Sequence, residues 1–270
     1  MDEREAGDRP GSIVPAGQGA VGALLIDFDN LMPPGDGQDV SPAQHRLLRC
    51  ISEVLEQSPE IDFLQVRLYG GWRSGGLLSR RGSDVASILP QLDPFPSGRA
   101  NGSILRGSLD LATSLIGQLG LEFDDTYRRR GSVPRLRLSG AAVPDGCSNH
   151  VADECPARIL KQFTRGPGRI CPVTTCAVTA AEAFVASEQK MVDTLLTCDL
   201  LELATDPSVR HIAVVSADTD FVPPLLLARR RSEAVVQLLV PMSGWSPGNT
   251  ALLSEGEVTV TEMEELDGAH

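Results

Sequence analysis

A chain of 270 residues, 41% of them apolar, is long enough to bury a core in one large domain or in one domain that carries an insertion. Aromatic residues make up only 4%, which argues against base-stacking platforms as the main mode of nucleic-acid contact, and no apolar run approaches the length of a membrane-spanning helix. The net charge of −12 is unevenly spread: from Ser246 onward the chain carries Glu255, Glu257, Glu262, Glu264, Glu265 and Asp267 with no Lys or Arg.

Residues 1–19 mix charges, Gly and Pro without periodicity and read as a disordered leader. A strand is expected over about 21–28, ending in Asp27-Phe28-Asp29-Asn30. Ser41-Pro42 then opens a helix, with Ser as N-cap and Pro at its first position. Its apolar stripe is Leu47, Leu48, Ile51, Val54 and Leu55. Ile61 to Tyr69 reads as a second strand stopped by Gly70-Gly71, which makes a β-α-β unit with parallel strands.

Between about 95 and 187 the pattern is lost to Gly, Pro and four of the six cysteines, as in a large insertion. Within it, Leu109 to Leu119 reads as a short helix and Arg135 to Leu138 as a short strand. Regular structure returns with a helix at about 187–204, a strand at 211–216, a helix at about 221–231 and a strand at 235–240. The expected class is a three-layer α/β/α sandwich with a mainly parallel sheet, spanning 20–245 with the insertion and followed by an acidic segment at 246–270.

Two acidic clusters sit at strand ends: Asp27-Phe28-Asp29-Asn30 after Leu24-Leu25-Ile26, and Asp218-Thr219-Asp220 after Ile212-Ala213-Val214-Val215. Ligands of open α/β sheets bind beyond the carboxyl ends of the strands. Oxygen-rich clusters there suit hard divalent cations, whose usual client is a phosphate. The simpler alternative is that Asp29, Asn30, Asp218 or Asp220 merely caps the next helix.

Leu25-Ile26-Asp27-Phe28-Asp29-Asn30-Leu31 resembles the first motif of the NYN domains, relatives of the PIN and FLAP nucleases. Val215-Ser216-Ala217-Asp218-Thr219-Asp220-Phe221-Val222-Pro223 is similar to their Ser-Gly-Asp-x-Asp-Phe segment, with Ala217 where Gly is common. Lys190-Met191-Val192-Asp193-Thr194 with Asp199 resembles the middle Lys-x-Val-Asp helix, and Val66 to Trp72 the second strand. The pattern resembles that of the LabA-like bacterial type, and the resemblance covers roughly 21–72 and 188–240. The resemblance implies a PIN-like, metal-dependent ribonuclease in which Asp27, Asp193, Asp218 and Asp220 ligate Mg²⁺ or Mn²⁺ and Asn30 assists. Asp29 falls where family members vary. The DxD at 27–29 also resembles the nucleophile motif of haloacid-dehalogenase phosphatases. That family needs a Thr or Val soon after the second Asp, where Asn30-Leu31 stand here.

Lys190 lies one helical turn before Asp193, placed to orient it or to meet a substrate phosphate. Asp199 is about 240° further round the same helix, nearer the apolar stripe, so a buried second-shell role competes with ligation. Ser216 and Thr219 read first as turn formers and second as hydrogen-bond partners of the acidic side chains. Arg128-Arg129-Arg130, Arg135 with Arg137, and Arg229-Arg230-Arg231 read as solvated faces or as phosphate contacts.

Cys147, Cys155, Cys171 and Cys176 lie within thirty residues. Cys171-x4-Cys176 fits the edge of a zinc pattern while Cys147-x7-Cys155 is too wide, so structural Zn²⁺ and ordinary thiols both stay open. Cys50 and Cys198 read as core. The expectation is thus a cytoplasmic endoribonuclease with RNA as partner and no membrane. The alternatives are a catalytically silent RNA-binding module and a nuclease acting on DNA flaps. Self-association and protein partners stay open.

Overall fold

The computed structural model describes residues 19–31, 40–99, 101–118, 121–130, 155–184, 186–189, 191–241 and 245–263. The expected leader up to Gln18, Lys190, Cys147, Arg135 to Leu138, the tail beyond Met263 and the side chains of Asn30 and Arg128 to Arg130 lie outside the described residues.

In chain order the elements are β1 (Ala20–Asp27), α1 (Phe28–Leu31), α2 (Ser41–Gln57), β2 (Ile61–Tyr69), β3 (Arg73–Ser74), β4 (Leu77–Leu78), α3 (Arg80–Leu92), β5 (Ser97–Gly98) and β6 (Ile104–Leu111). These are followed by β7 (Tyr127–Arg130), α4 (Pro156–Phe163), α5 (Ala180–Ala183), β8 (Ala186–Gln189), α6 (Val192–Leu203) and β9 (Val209–Val215). A 3₁₀ turn (Thr219–Phe221), α7 (Val222–Arg231), β10 (Val235–Val240), α8 (Pro247–Glu255) and β11 (Thr259–Glu262) complete the chain.

Two compact units result: residues 1–126 with 189–270, and residues 127–188. The first holds a seven-stranded sheet in the order β11-β10-β9-β1-β2-β6-β5, parallel throughout except for the β5·β6 pair. β1 is central, and its run Val21–Ile26 is buried on both faces, which is why the sequence there is continuously apolar rather than alternating. Leu25 on one face packs with the buried residues of α6, α7 and α8. Leu24 and Ile26 on the other pack with those of α2 and α3. The three-layer α/β/α sandwich is therefore present. None of the described helices is long and apolar enough to cross a membrane.

The chain departs from the sequence reading in several places. Val40, not Ser41, occupies the N-cap of α2, with no side-chain cap bond, so Ser41 and Pro42 fall inside the first turn. Leu109 does not start a helix: Ile104–Leu111 is β6, which pairs with β2. The expected insertion therefore begins too early, since β5 and β6 belong to the main sheet and the second unit spans 127–188. Residues 246–263 likewise belong to the fold, supplying α8 and the edge strand β11 that pairs with β10. Cys50 is buried against Met263, but Cys198 is exposed on α6.

In the second unit β7 and β8 hydrogen-bond to each other as a two-stranded sheet. Thr179 and Glu182 form a reciprocal capping box at α5. No described cysteine is disulfide-bonded.

Candidate functional site

Strand order fixes where a site can form. From β1 the chain builds outward through β2 and β6 on one side, then returns to build β9, β10 and β11 on the other. The reversal falls between β1 and β9, and the crevice beyond the carboxyl ends of such neighbouring strands is the ligand position of open α/β sheets. Ile26 is in register with Val215, so the segments that leave the sheet there are Asp27 onward and Ser216 onward. Both acidic clusters of the sequence thus emerge at the one crevice that the topology creates.

Asp27 is the last residue of β1 and aligns with Tyr69 of β2. Its Oδ1 accepts from the Asp29 amide at 3.3 Å, closing the turn into α1. Asp29 is ion-paired with Arg81 of α3. The Arg81 guanidinium also lies 5.5 Å over the Phe28 ring, which meets Trp72 edge-on at 5.2 Å. Trp72 donates from Nε1 to the Leu68 carbonyl at 2.8 Å. α3 comes this close because its first turn contains Gly82, where a Cβ would stand 2.3 Å from the Trp72 carbonyl oxygen.

At the neighbouring strand, Ser216 still belongs to the sheet edge, donating its amide to Leu239. Its hydroxyl accepts from the Asp218 amide at 3.0 Å, and Asp218 Oδ1 accepts from the Asp220 amide at 2.9 Å. Buried Phe221 then anchors the turn before Val222 opens α7. The turn-forming reading of Ser216 therefore holds, and Asp218 caps the 3₁₀ turn with one of its two oxygens. Thr219 lies within that turn, its carbonyl accepting from Val222.

Asp193 comes from the other side, in the first turn of α6. Met191 immediately before it takes φ 62°, a left-handed conformation that few non-glycine residues adopt and that turns the chain sharply into the helix. Partial desolvation first, then the Asp218 and Asp220 carboxylates, hold the Asp193 carboxyl above its ordinary range. Three of the four expected ligands therefore share one electrostatic field, and the fourth ends the adjacent strand.

Among the described residues no three His, Cys, Asp or Glu side chains are gathered closely enough to hold a metal ion as they stand. In donor chemistry the set nevertheless fits a hard divalent cation. It consists of carboxylate oxygens, and a concentration of like charge is what such a cation relieves. Of the cysteines named for zinc, Cys155, Cys171 and Cys176 form no such group among the described residues.

Asp199 serves elsewhere. It is fully buried, accepting from Arg67 Nη1 at 2.6 Å, from the Tyr69 hydroxyl at 2.7 Å and from the Ile116 amide at 2.8 Å. Arg67 also donates to the Ser114 carbonyl at 2.7 Å. This cluster pins α6 to β2 and to the loop after β6, a supporting role rather than ligation. Sequence reasoning did not pick out Arg67, Tyr69 or Arg81; a charge inside the apolar strand Ile61–Tyr69 was the available signal for the first.

Arg229, Arg230 and Arg231 end α7, which starts at the acidic crevice and runs about 15 Å away from it. Arg229 donates to the Ser232 carbonyl and to Glu257, so it secures the C-terminal end of α7.

A parallel α/β sandwich with carboxylates at its switch point is the architecture of the PIN-like nuclease folds. The NYN domain family model matches residues 159–255 of the chain. The matched span contains Asp193, Asp199, Asp218 and Asp220, while the Asp27–Asn30 segment lies outside it and joins it through the β1·β9 pairing. No curated protein and no solved structure matches the chain.

Proposed function

We propose that this protein is a metal-dependent ribonuclease that hydrolyses RNA phosphodiester bonds, with Asp27, Asp193, Asp218 and Asp220 as ligands of Mg²⁺ or Mn²⁺. The observation that carries the reading is the mutual charge of Asp193, Asp218 and Asp220 at the switch-point crevice, beside the strand-end Asp27. When bound, the cation supplies Lewis-acid activation of a water and charge neutralisation at the phosphate. The chain's own part is positional. The amide of Asp29 and the amide of Asp220 each fix one oxygen of Asp27 and Asp218, so neither carboxylate has to be ordered when the cation binds.

A second reading is a module that binds RNA without cutting it. It is favoured by the same turn bonds, which give Asp27 and Asp218 a structural use, and by the lack of a gathered three-ligand group among the described residues.

Labelled RNA and DNA incubated with Mg²⁺, Mn²⁺ or EDTA separate the two. The ribonuclease reading expects RNA cleavage that EDTA abolishes. It also expects Asp218→Asn, which keeps a carbonyl oxygen for the Asp220 amide, to fall about a hundred-fold or more while melting normally, since even outer-shell partners of a metal are worth about 10–100-fold. RNA binding without cleavage under every metal would support the silent module, and preferential cleavage of branched DNA would move the substrate to DNA flaps.

A further inference from the structure

Arg81, in the first turn of α3, is a basic side chain held at the first acidic motif. Its partners are both drawn from the first acidic motif: it pairs with Asp29 and covers the Phe28 ring, and Asp29 in turn donates its amide to Asp27. It therefore sits at the crevice without belonging to the acidic set, brought there by the close packing of α3 on Trp72 at Gly82. About a third of its side chain is exposed, and of the fork's donors only Nη2 is hydrogen-bonded to a described residue. A paired surface arginine contributes little to stability, so stability gives little reason for a charge of this kind beside a carboxylate site. A planar fork lying over a ring and held by a carboxylate is suited to receiving a phosphate in two-pronged fashion.

We propose that Arg81 forms a phosphate-binding subsite for the RNA strand, at the side of the crevice opposite Asp193, with Asp29 holding the guanidinium in place until a backbone phosphate takes up its outward donors. The proposal rests on the ribonuclease reading for the identity of the strand but not for the contact itself, which binding alone can test.

The experiment uses the full chain and an end-labelled single-stranded oligoribonucleotide, with affinity measured in EDTA across a salt series so that no cleavage intervenes. Arg81→Ala is expected to weaken binding about ten-fold and to lower the slope of log affinity against log salt by about one phosphate contact, with Arg81→Lys losing only part of the affinity. Asp29→Asn, which releases the guanidinium, is expected to bind RNA at least as tightly as the wild type. Unchanged affinity and salt slope in a normally melting Arg81→Ala overturns the subsite. If that variant fails to fold, Arg81→Lys and Asp29→Asn decide. Asp29→Asn weakening binding would mean that the acidic partner, not the arginine, is what the strand needs. Cleavage by the wild type in Mn²⁺, with affinity in EDTA the same in the wild type and every variant, counts against the subsite and leaves the ribonuclease reading standing. A wild-type protein that binds but never cuts, with Arg81→Ala still weakened, sinks the ribonuclease reading and leaves the subsite.

Discussion

Arg67 and Asp199 meet at 2.6 Å inside the protein, their side chains only 6% and 1% exposed, across 132 residues of sequence. Burial pushes the Asp199 carboxyl above its ordinary range, while Arg67, the Ile116 amide and the Tyr69 hydroxyl act against it. Burial first, and then Asp199, drive the Tyr69 phenol well above its usual range, so it stays a hydrogen-bond donor. The cluster fastens the helix that carries Asp193 to the sheet.

Removing one partner leaves the other charge buried. Asp199→Ala is therefore expected to cost about 3–5 kcal/mol, and the double change Arg67→Met with Asp199→Leu less than that single one. Denaturant unfolding of the three proteins at one temperature measures this. A single variant that costs no more than a surface substitution would show that the pair is not the anchor it looks to be.

Asp193 gives a prediction with a sign. Its carboxyl is raised in the folded protein, so as pH climbs through the ordinary carboxylate range the unfolded chain ionises first and the fold loses stability, an effect absent at lower pH. Without metal, Asp193→Asn is expected to melt at or above the wild-type temperature near neutral pH. Saturating Mn²⁺ is expected to raise the wild-type melting temperature by stabilising only the folded state, and to leave the variant unmoved. Equal Mn²⁺ shifts in both proteins would remove Asp193 from the ligand set.

His211 predicts the opposite slope at the other end of the strands, near the start of β9. It is fully buried, bonded through Nδ1 to Ser58 at 2.9 Å and through Nε2 to Gln237 at 2.9 Å, and burial lowers its pKa from 6.5 to about 4. Between those values the unfolded chain takes up a proton that the folded one refuses. Stability is thus full above pH 6.5 and is lost as pH falls toward 4, by about 3 kcal/mol at most. Replacing the imidazole by a group that does not titrate, as in His211→Gln, should flatten that limb of the stability curve. Identical pH limbs in both proteins would assign the acid sensitivity to other groups.

The four strands the sequence revealed most clearly, β1, β2, β9 and β10, are the interior parallel strands whose residues are mostly apolar and buried, β1 without interruption over Val21–Ile26. β6 was mistaken because Gly107 and Ser108 interrupt its alternation. The glycine is there for room, since a Cβ at 107 would lie 2.4 Å from the Leu64 carbonyl oxygen. α3 went unread because Gly82 and Pro90 both sit inside it. At the site, residue types at strand ends were enough to find Asp27, Asp218 and Asp220. The partners supplied by packing, Arg67 for Asp199 and Arg81 for Asp29, join positions far apart in sequence that no local pattern connects.

The central place of β1 also sets an order of events during synthesis. Val21 pairs with Val209, about 190 residues further along the chain, so the flank of β1 that faces β9 stays uncovered until the later strand has been made. At about 5–20 residues per second that interval is roughly 10–40 s, during which the nascent chain can pair β1 only with β2, on whose far side β6 adds. The second unit, residues 127–188, occupies about a third of that delay. A nascent chain released before β9 would present an open apolar strand and no crevice, and every carboxylate of the candidate site would be left without its neighbours.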